Sequence, residues 1–297
     1  MPSIRSQLFS RIAERALVSL FSDFDLDKTR ERLTRLDGLG PLPSGVSIDL
    51  KQLPHCDAEW VRTGRMTDRV VIYLPGGAWV LRSQRAHTRI TAALAKAANA
   101  DVLHVFYRLA PENPFPAGLE DCVEAYETLL SEGIEPGRIV IGGDSAGGNL
   151  TLAALLALRD SGTPLPAGAF AISPCTDMSS KEGGATDLGA AMPDADDSIE
   201  TDPRLLYVDG NEEMLDHPYA SPLRADLQGL CPVLLQAGGA EILVDHSTLF
   251  AERARAAGVD AEVEVWEAQS HVWHTMPFPE AEQAFEHLGD FIRRCCP

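Results

Sequence analysis

Serine becomes a nucleophile only when a base can take its proton and an acid holds that base in the right orientation. Ser145 sits where that chemistry would need it, in the run RIVIGGDSAGGNLTLAALLALR. An apolar segment, Ile139 to Ile141, enters Gly143-Asp144-Ser145-Ala146-Gly147, and a strong helical pattern leaves it. This is G-x-S-x-G between a strand and a helix. Its glycines permit the sharp turn that lifts a serine hydroxyl to the top of a sheet, at a helix N-terminus. The bare motif is weak, but the strand before it and the helix after it make Ser145 a candidate nucleophile rather than a structural turn.

Where this motif works as a nucleophile, an acid and then a histidine follow, each on a loop after a late strand. His271 and His274, in EAQSHVWHTM, come directly after the last strand pattern, VDAEVEVW. His55 lies too early, His87, His246 and His287 fall in helical patterns, His104 is in a strand, and His217 is in an irregular segment. His271, nearer the strand end, is the preferred base, with His274 as the alternative. The acid should follow PVLLQAG, where GGAEILVDHS offers Glu241 and Asp245. Glu241 is preferred because it precedes the helix, whereas Asp245 reads as a cap or a decoration of that helix.

Attack on an acyl carbon builds a negatively charged oxygen, and backbone N–H groups aimed at it are a large catalytic factor. One candidate donor is Ala146, the residue after the serine. Gly77 and Ala78 are the others, in VVIYLPGGAWVLR, where a strand runs into glycines that lack a Cβ to block close approach. Gly76 and Asp144 are supporting positions beside them, and Trp79 is expected to anchor the loop in the core.

The elements that must position these residues alternate along the chain. Helical patterns open it at about 3–21 and 26–37. Strand patterns follow at about 46–53, 68–74, 102–107, 138–142, 167–172, 232–237 and 260–266, with helical patterns between most of them. This alternation predicts an α/β architecture, a mostly parallel sheet with helices on both faces. The long interval from Pro174 to Pro232 has no clear strand and reads as an insertion with a role of its own, such as a lid. Within it, Asp194 to Asp216 carries nine acidic residues against one basic residue, Arg204, and is expected to be a solvated loop. The last strand alternates Asp260, Glu262 and Glu264 with Ala261, Val263 and Val265, as expected at a sheet edge, so a homodimer through it is an expectation.

Composition narrows the function classes. The 297 residues are 45% hydrophobic and 23% charged, the balance of an ordinary globular chain. A net charge of −19 disfavours nucleic acid and anionic membranes as partners. The six cysteines lack CxxC spacing, which argues against a zinc site and fits reduced thiols in a cytoplasm. No apolar run reaches membrane length, and charges interrupt the N-terminal apolar positions, which reads as an amphipathic helix rather than a secretory signal.

The chain resembles the bacterial hormone-sensitive-lipase-like esterases of the α/β-hydrolase superfamily. GDSAGG (Gly143 to Gly148), YRLAPENPFPAGLEDC (Tyr107 to Cys122), AISPCTDM (Ala171 to Met178), ASPLRADL (Ala220 to Leu227), AGGAEILVD (Ala237 to Asp245) and HVWH (His271 to His274) carry the resemblance, which spans roughly residues 40–297. It implies an eight-stranded sheet with a helical cap. Residues 1–40 would be N-terminal cap helices and 176–222 a cap insertion, with 41–175 and 223–297 forming the catalytic domain. It also implies hydrolysis of short-chain carboxylic esters through an acyl-enzyme, without cofactor or metal, on a small-molecule substrate. Two departures stand out: the family's HGGG is Pro75-Gly76-Gly77-Ala78 here, and its acidic Asp-Pro-Leu is Glu241-Ile242-Leu243. An amide hydrolase of the arylformamidase type is the alternative, since GGAW matches all but the histidine of that family's oxyanion loop. A non-catalytic ligand-binding relative is the third reading, and His271 argues against it.

Overall fold

A computed structural model describes residues 12, 24–37, 43–179 and 202–297. The expected helix at 3–21, apart from Ile12, and all of the acidic run before Asp202 lie outside the described residues. Eight strands form one sheet: β1 (Ser47–Gln52), β2 (Asp57–Arg62), β3 (Val70–Leu74), β4 (Asp101–Phe106), β5 (Ile139–Asp144), β6 (Gly168–Ile172), β7 (Val233–Gly238) and β8 (Ala261–Trp266). Their spatial order is β1-β2-β4-β3-β5-β6-β7-β8. The β1–β2 and β2–β4 pairs are antiparallel and all others parallel. The helices are α1 (Leu26–Asp37), α2 (Gln84–Ala98), α3 (Ala117–Ser131), α4 (Ala146–Ser161), α5 (Pro203–Tyr207), α6 (Val244–Ala256) and α7 (Pro279–Cys295).

The strand patterns become strands because both faces of the central sheet are covered. VVIYL in β3 is apolar throughout and wholly buried, as a parallel strand between two helical layers must be. Its side chains divide with period two: Val70, Ile72 and Leu74 pack with α3 and α4, and Val71 and Tyr73 with α2 and α7. β5 divides in the same way, Ile139 and Ile141 against Val140. A third apolar cluster joins β6 and β7 to α4 and α6 through Leu155, Leu235 and Phe250. Each such side chain, fully buried, contributes about 1.5–3 kcal/mol of apolar transfer free energy.

β2 has no counterpart among the expected strands. Its sequence DAEWVR mixes charge and apolar residues, yet Glu59 is only 2% exposed. Its carboxylate accepts from Thr88 Oγ1 at 2.6 Å, faces His104 Nδ1 at 3.1 Å and accepts from Gln84 Nε2 at 3.1 Å. Partners on α2 and β4 therefore hide a charge that a sequence pattern assigns to solvent.

α1 is tied to the segments around β3. Arg30 donates to the carbonyls of Val80 (2.9 Å) and Ala110 (2.8 Å), and Asp37 accepts from the N–H groups of Arg85 and Ala86 at the start of α2. The described part of the acidic run is not uniformly solvated: Asp202 is 8% exposed and holds Arg204 at 2.7 Å, whereas Glu212 and Glu213 are exposed. Among the described residues no helix is long and apolar enough to cross a membrane.

The turn joining β5 to α4 is the tightest point of the fold. A Cβ on Gly147 would lie 1.9 Å from the Leu74 carbonyl oxygen, and one on Gly143 would lie 2.3 Å from the same atom. Gly147→Ala must push β3 away from β5 and is expected to cost about 3 kcal/mol or more, the upper range for overpacking. Urea unfolding of the variant against the parent protein measures it.

Candidate active site

The loops that follow β3, β5, β6, β7 and β8 all emerge at one end of the sheet, since these strands run parallel. Ser145 ends β5 with φ 53° and ψ −118°, a conformation rarely adopted by a residue with a side chain. Its N–H donates to the Ile172 carbonyl at 2.8 Å, and α4 starts at the next residue. The chain is thus turned so that the side chain faces outward.

His271, on the loop after β8, places Nε2 2.9 Å from Ser145 Oγ. Glu241, after β7, is 5% exposed, and its Oε2 lies 3.4 Å from His271 Nδ1. The same oxygen accepts from Ser173 Oγ at 2.6 Å, and Ser173 Oγ accepts from the Val272 N–H at 3.2 Å. Ser173 therefore ties the carboxylate to the loop that carries the histidine. Sequence reasoning gave Ser173 no role, although it lies in AISPCTDM; its φ of 48° at the end of β6 is set by the surrounding chain.

The two alternative residues lie elsewhere. Asp245 sits in the first turn of α6. His274 is buried against Trp273, with ring centroids 4.2 Å apart, and its Nε2 lies 2.8 Å from Gln236 Oε1. Burial drives its pKa down to about 3, so it stays neutral in the folded protein.

The segment after β3 folds into a compact turn. Gly77 has φ 136°, Ala78 49° and Trp79 61°, and the N–H groups of Val80 and Leu81 both donate to the Gly77 carbonyl, at 3.1 and 2.8 Å. Ala78 and Trp79 hold left-handed conformations that cost of order 1–3 kcal/mol each and persist only under strong external constraint. That constraint is visible. Trp79 is 4% exposed and stacks on Tyr207 of α5 at 5.0 Å, and Tyr107 donates its hydroxyl hydrogen to the Pro75 carbonyl at 2.7 Å. Asp144 Oδ1 accepts from the Gly76 N–H at 3.0 Å and from the Tyr73 hydroxyl at 2.6 Å.

Gly76, Gly77, Ala78, Ser145, Ala146 and His271 border one cavity of about 410 Å³. Leu33 of α1, Pro203 at the start of α5, and Ile242 and Leu243 after β7 line its other walls.

This end of the sheet has counterparts in known proteins. Residues 71–275 match the family described as the alpha/beta hydrolase fold. The acetyl-hydrolase of Streptomyces hygroscopicus is 43% identical over 247 residues, 82% of each chain. Esterase LipU of Mycobacterium tuberculosis is 35% identical over 268 residues, 85% of this chain and 89% of its own. A crystal structure of an esterase from the bacterial hormone-sensitive lipase family superposes with a TM-score of 0.85 at 37% identity over 100% of both chains.

The chain belongs to the bacterial hormone-sensitive-lipase-like esterases of the α/β-hydrolase superfamily. It is a carboxylic ester hydrolase, and the comparisons lend no support to the arylformamidase-type alternative. In this esterase the loop after β3 keeps its turn with Pro75 and Ala78 in place of histidine and a third glycine.

Gly77 is the position in that loop least able to accept a side chain: a Cβ would meet the Leu81 carbonyl oxygen at 2.2 Å, at a φ that L residues rarely adopt. Gly77→Val is expected to displace the N–H groups bordering the cavity and to lower kcat at least about a hundredfold, the scale of one lost oxyanion donor. Steady-state kinetics on a p-nitrophenyl ester check this, since a loop that served only as a turn would leave kcat nearly unchanged.

Proposed function

We propose that this esterase cleaves esters of small carboxylic acids through an acyl-enzyme on Ser145. The observation that carries this reading is the continuous chain Ser145 Oγ–His271 Nε2 (2.9 Å) and His271 Nδ1–Glu241 Oε2 (3.4 Å), opening into a cavity of about 410 Å³. Ser145 Oγ attacks the ester carbonyl carbon while His271 removes its proton. The tetrahedral oxyanion is held by backbone N–H groups of Gly77, Ala78 and Ala146. His271 then protonates the leaving alkoxide, and the acyl group stays on Ser145. Water, deprotonated by the same imidazole, attacks the acyl carbon; the C–Oγ bond to Ser145 breaks, Oγ takes the proton back from His271, and the acid leaves. Glu241 keeps Nδ1 protonated and supports the imidazolium that forms in each half-reaction.

Size supports short acyl groups. The cavity walls at Leu33, Trp79, Ile242 and Leu243 are apolar side chains suited to an alkyl chain, and the volume is that of a small-ligand pocket. Segments from both ends of the expected cap contribute to those walls, α1 from residues 1–40 and α5 from 176–222, so we read these two segments as the cap.

With p-nitrophenyl esters of increasing acyl length, kcat/KM is expected to peak between about two and six acyl carbons and to fall steeply beyond, as a pocket of a few hundred Å³ fills. Ser145→Ala should abolish turnover, and Glu241→Gln should lower kcat by about two to four orders of magnitude. Undiminished hydrolysis of long-chain esters would overturn the size argument, and an Asp245→Ala variant more damaged than Glu241→Gln would overturn the assignment of the acid.

β8 ends the sheet, and Val265 on it is 48% exposed. An unpaired strand edge of this kind suits pairing with a second copy of the chain. Light scattering at micromolar concentration should give twice the monomer mass, and a monomer mass would exclude that dimer.

A further inference from the structure

His87, near the start of α2, is 8% exposed and borders the catalytic cavity, although no step above uses it. Its Nδ1 lies 2.8 Å from the Ser83 carbonyl oxygen, which can only accept, so Nδ1 carries a hydrogen. Its Nε2 lies 3.5 Å from Asp144 Oδ1. In a neutral ring protonated at Nδ1, the Nε2 lone pair would face that carboxylate, and like would oppose like in a buried site. A second hydrogen on Nε2 turns the repulsion into an ion pair. Asp144 is in turn the acceptor for the Gly76 N–H, at the start of the loop that borders the cavity.

We infer that His87 works as a buried imidazolium that fixes the Asp144 carboxylate and, through it, the loop of Gly76, Gly77 and Ala78, making it a positioning residue for oxyanion stabilisation. The inference rests on the esterase reading of Ser145 and adds to it a reason why the loop holds its strained backbone.

The surrounding charges agree with this. Burial opposes a charge on His87, yet Asp144 outweighs it and raises the imidazole pKa above its usual 6.5. Burial likewise pushes the Asp144 carboxyl up, and His87, the Tyr73 hydroxyl and the Gly76 N–H together bring it below its usual value. The other groups facing His87 are Tyr73 of β3, His104 of β4 and, at longer range, Asp37 of α1. His104 is kept neutral by its burial, in spite of Glu59 beside it, and does not compete for the charge. Because the folded-state pKa of His87 is raised, the stability that the ion pair contributes is fully present below the usual 6.5 and is lost as pH rises through the higher folded value.

Two measurements test this. The ring nitrogen and carbon shifts of His87 in the ¹⁵N,¹³C-labelled protein should show a doubly protonated ring at pH 6, below the usual imidazole value, and a neutral ring there would overturn the inference whatever the activity. His87→Gln, which keeps a hydrogen-bond donor but no charge, should lower kcat at least about tenfold with KM little changed, part of the 10²–10³ lost with a whole oxyanion donor. In an Asp144→Asn background the same substitution should cost less than about twofold, since the two side chains act as one unit. A His87→Gln enzyme with kcat within about twofold of the parent would also overturn it. Fluorophosphonate labelling of Ser145 separates the two readings: an unlabelled parent protein refutes the esterase reading, while a labelled parent with a neutral His87 refutes only the positioning role.

Discussion

The approach of β3 to the β5–α4 turn is the constraint on which the site depends. Gly143 and Gly147 let the Leu74 carbonyl come so near that neither position has space for a Cβ. That closeness forces Ser145 into its positive-φ conformation and directs its side chain outward. Asp144, one residue earlier, must then point the opposite way, because successive side chains on a strand alternate. It meets the Gly76 N–H beneath the loop that leaves β3. One close packing of two backbones thus presents the candidate nucleophile and anchors the loop beside it.

The candidate acid and base depend on a different set of strand ends. Glu241 comes from β7, His271 from β8 and Ser173 from β6, and parallel pairing in register fixes their separation. Burying a carboxylate is costly unless hydrogen bonds replace its water. Ser173 supplies one such bond at 2.6 Å, and because it also accepts from the Val272 N–H, the group that stabilises the Glu241 carboxylate also holds the loop of His271. Moving any one of these strands would disturb both.

Two of the segments that line the cavity are held by a few specific contacts. α5 is a single short turn held by Trp79 stacking on Tyr207 and by the Phe115 N–H donating to the Tyr207 carbonyl at 2.7 Å. α1 is held by Arg30, which reaches Val80, Ala110 and Glu112. Both attachments lead to residues around the loop after β3, so these cavity walls and the candidate oxyanion donors share one support.

The sequence by itself determined the alternating architecture, the strand–Ser145–helix turn and the short lists Glu241 or Asp245 and His271 or His274, because period-two and helical patterns, glycine spacing and chain order are local properties. It did not reveal β2, whose charged Glu59 is made tolerable by Thr88, Gln84 and His104 from distant parts of the chain. It left His87 as one more residue in a helical pattern and Ser173 without a task. Only the tertiary structure separated the two histidines, by turning His274 under Gln236 and His271 toward Ser145. It alone placed His87 against Asp144, two residues 57 positions apart. The physical reason is the same in each case: a buried polar group is defined by the partner that replaces its water, and for these residues that partner is far away in sequence.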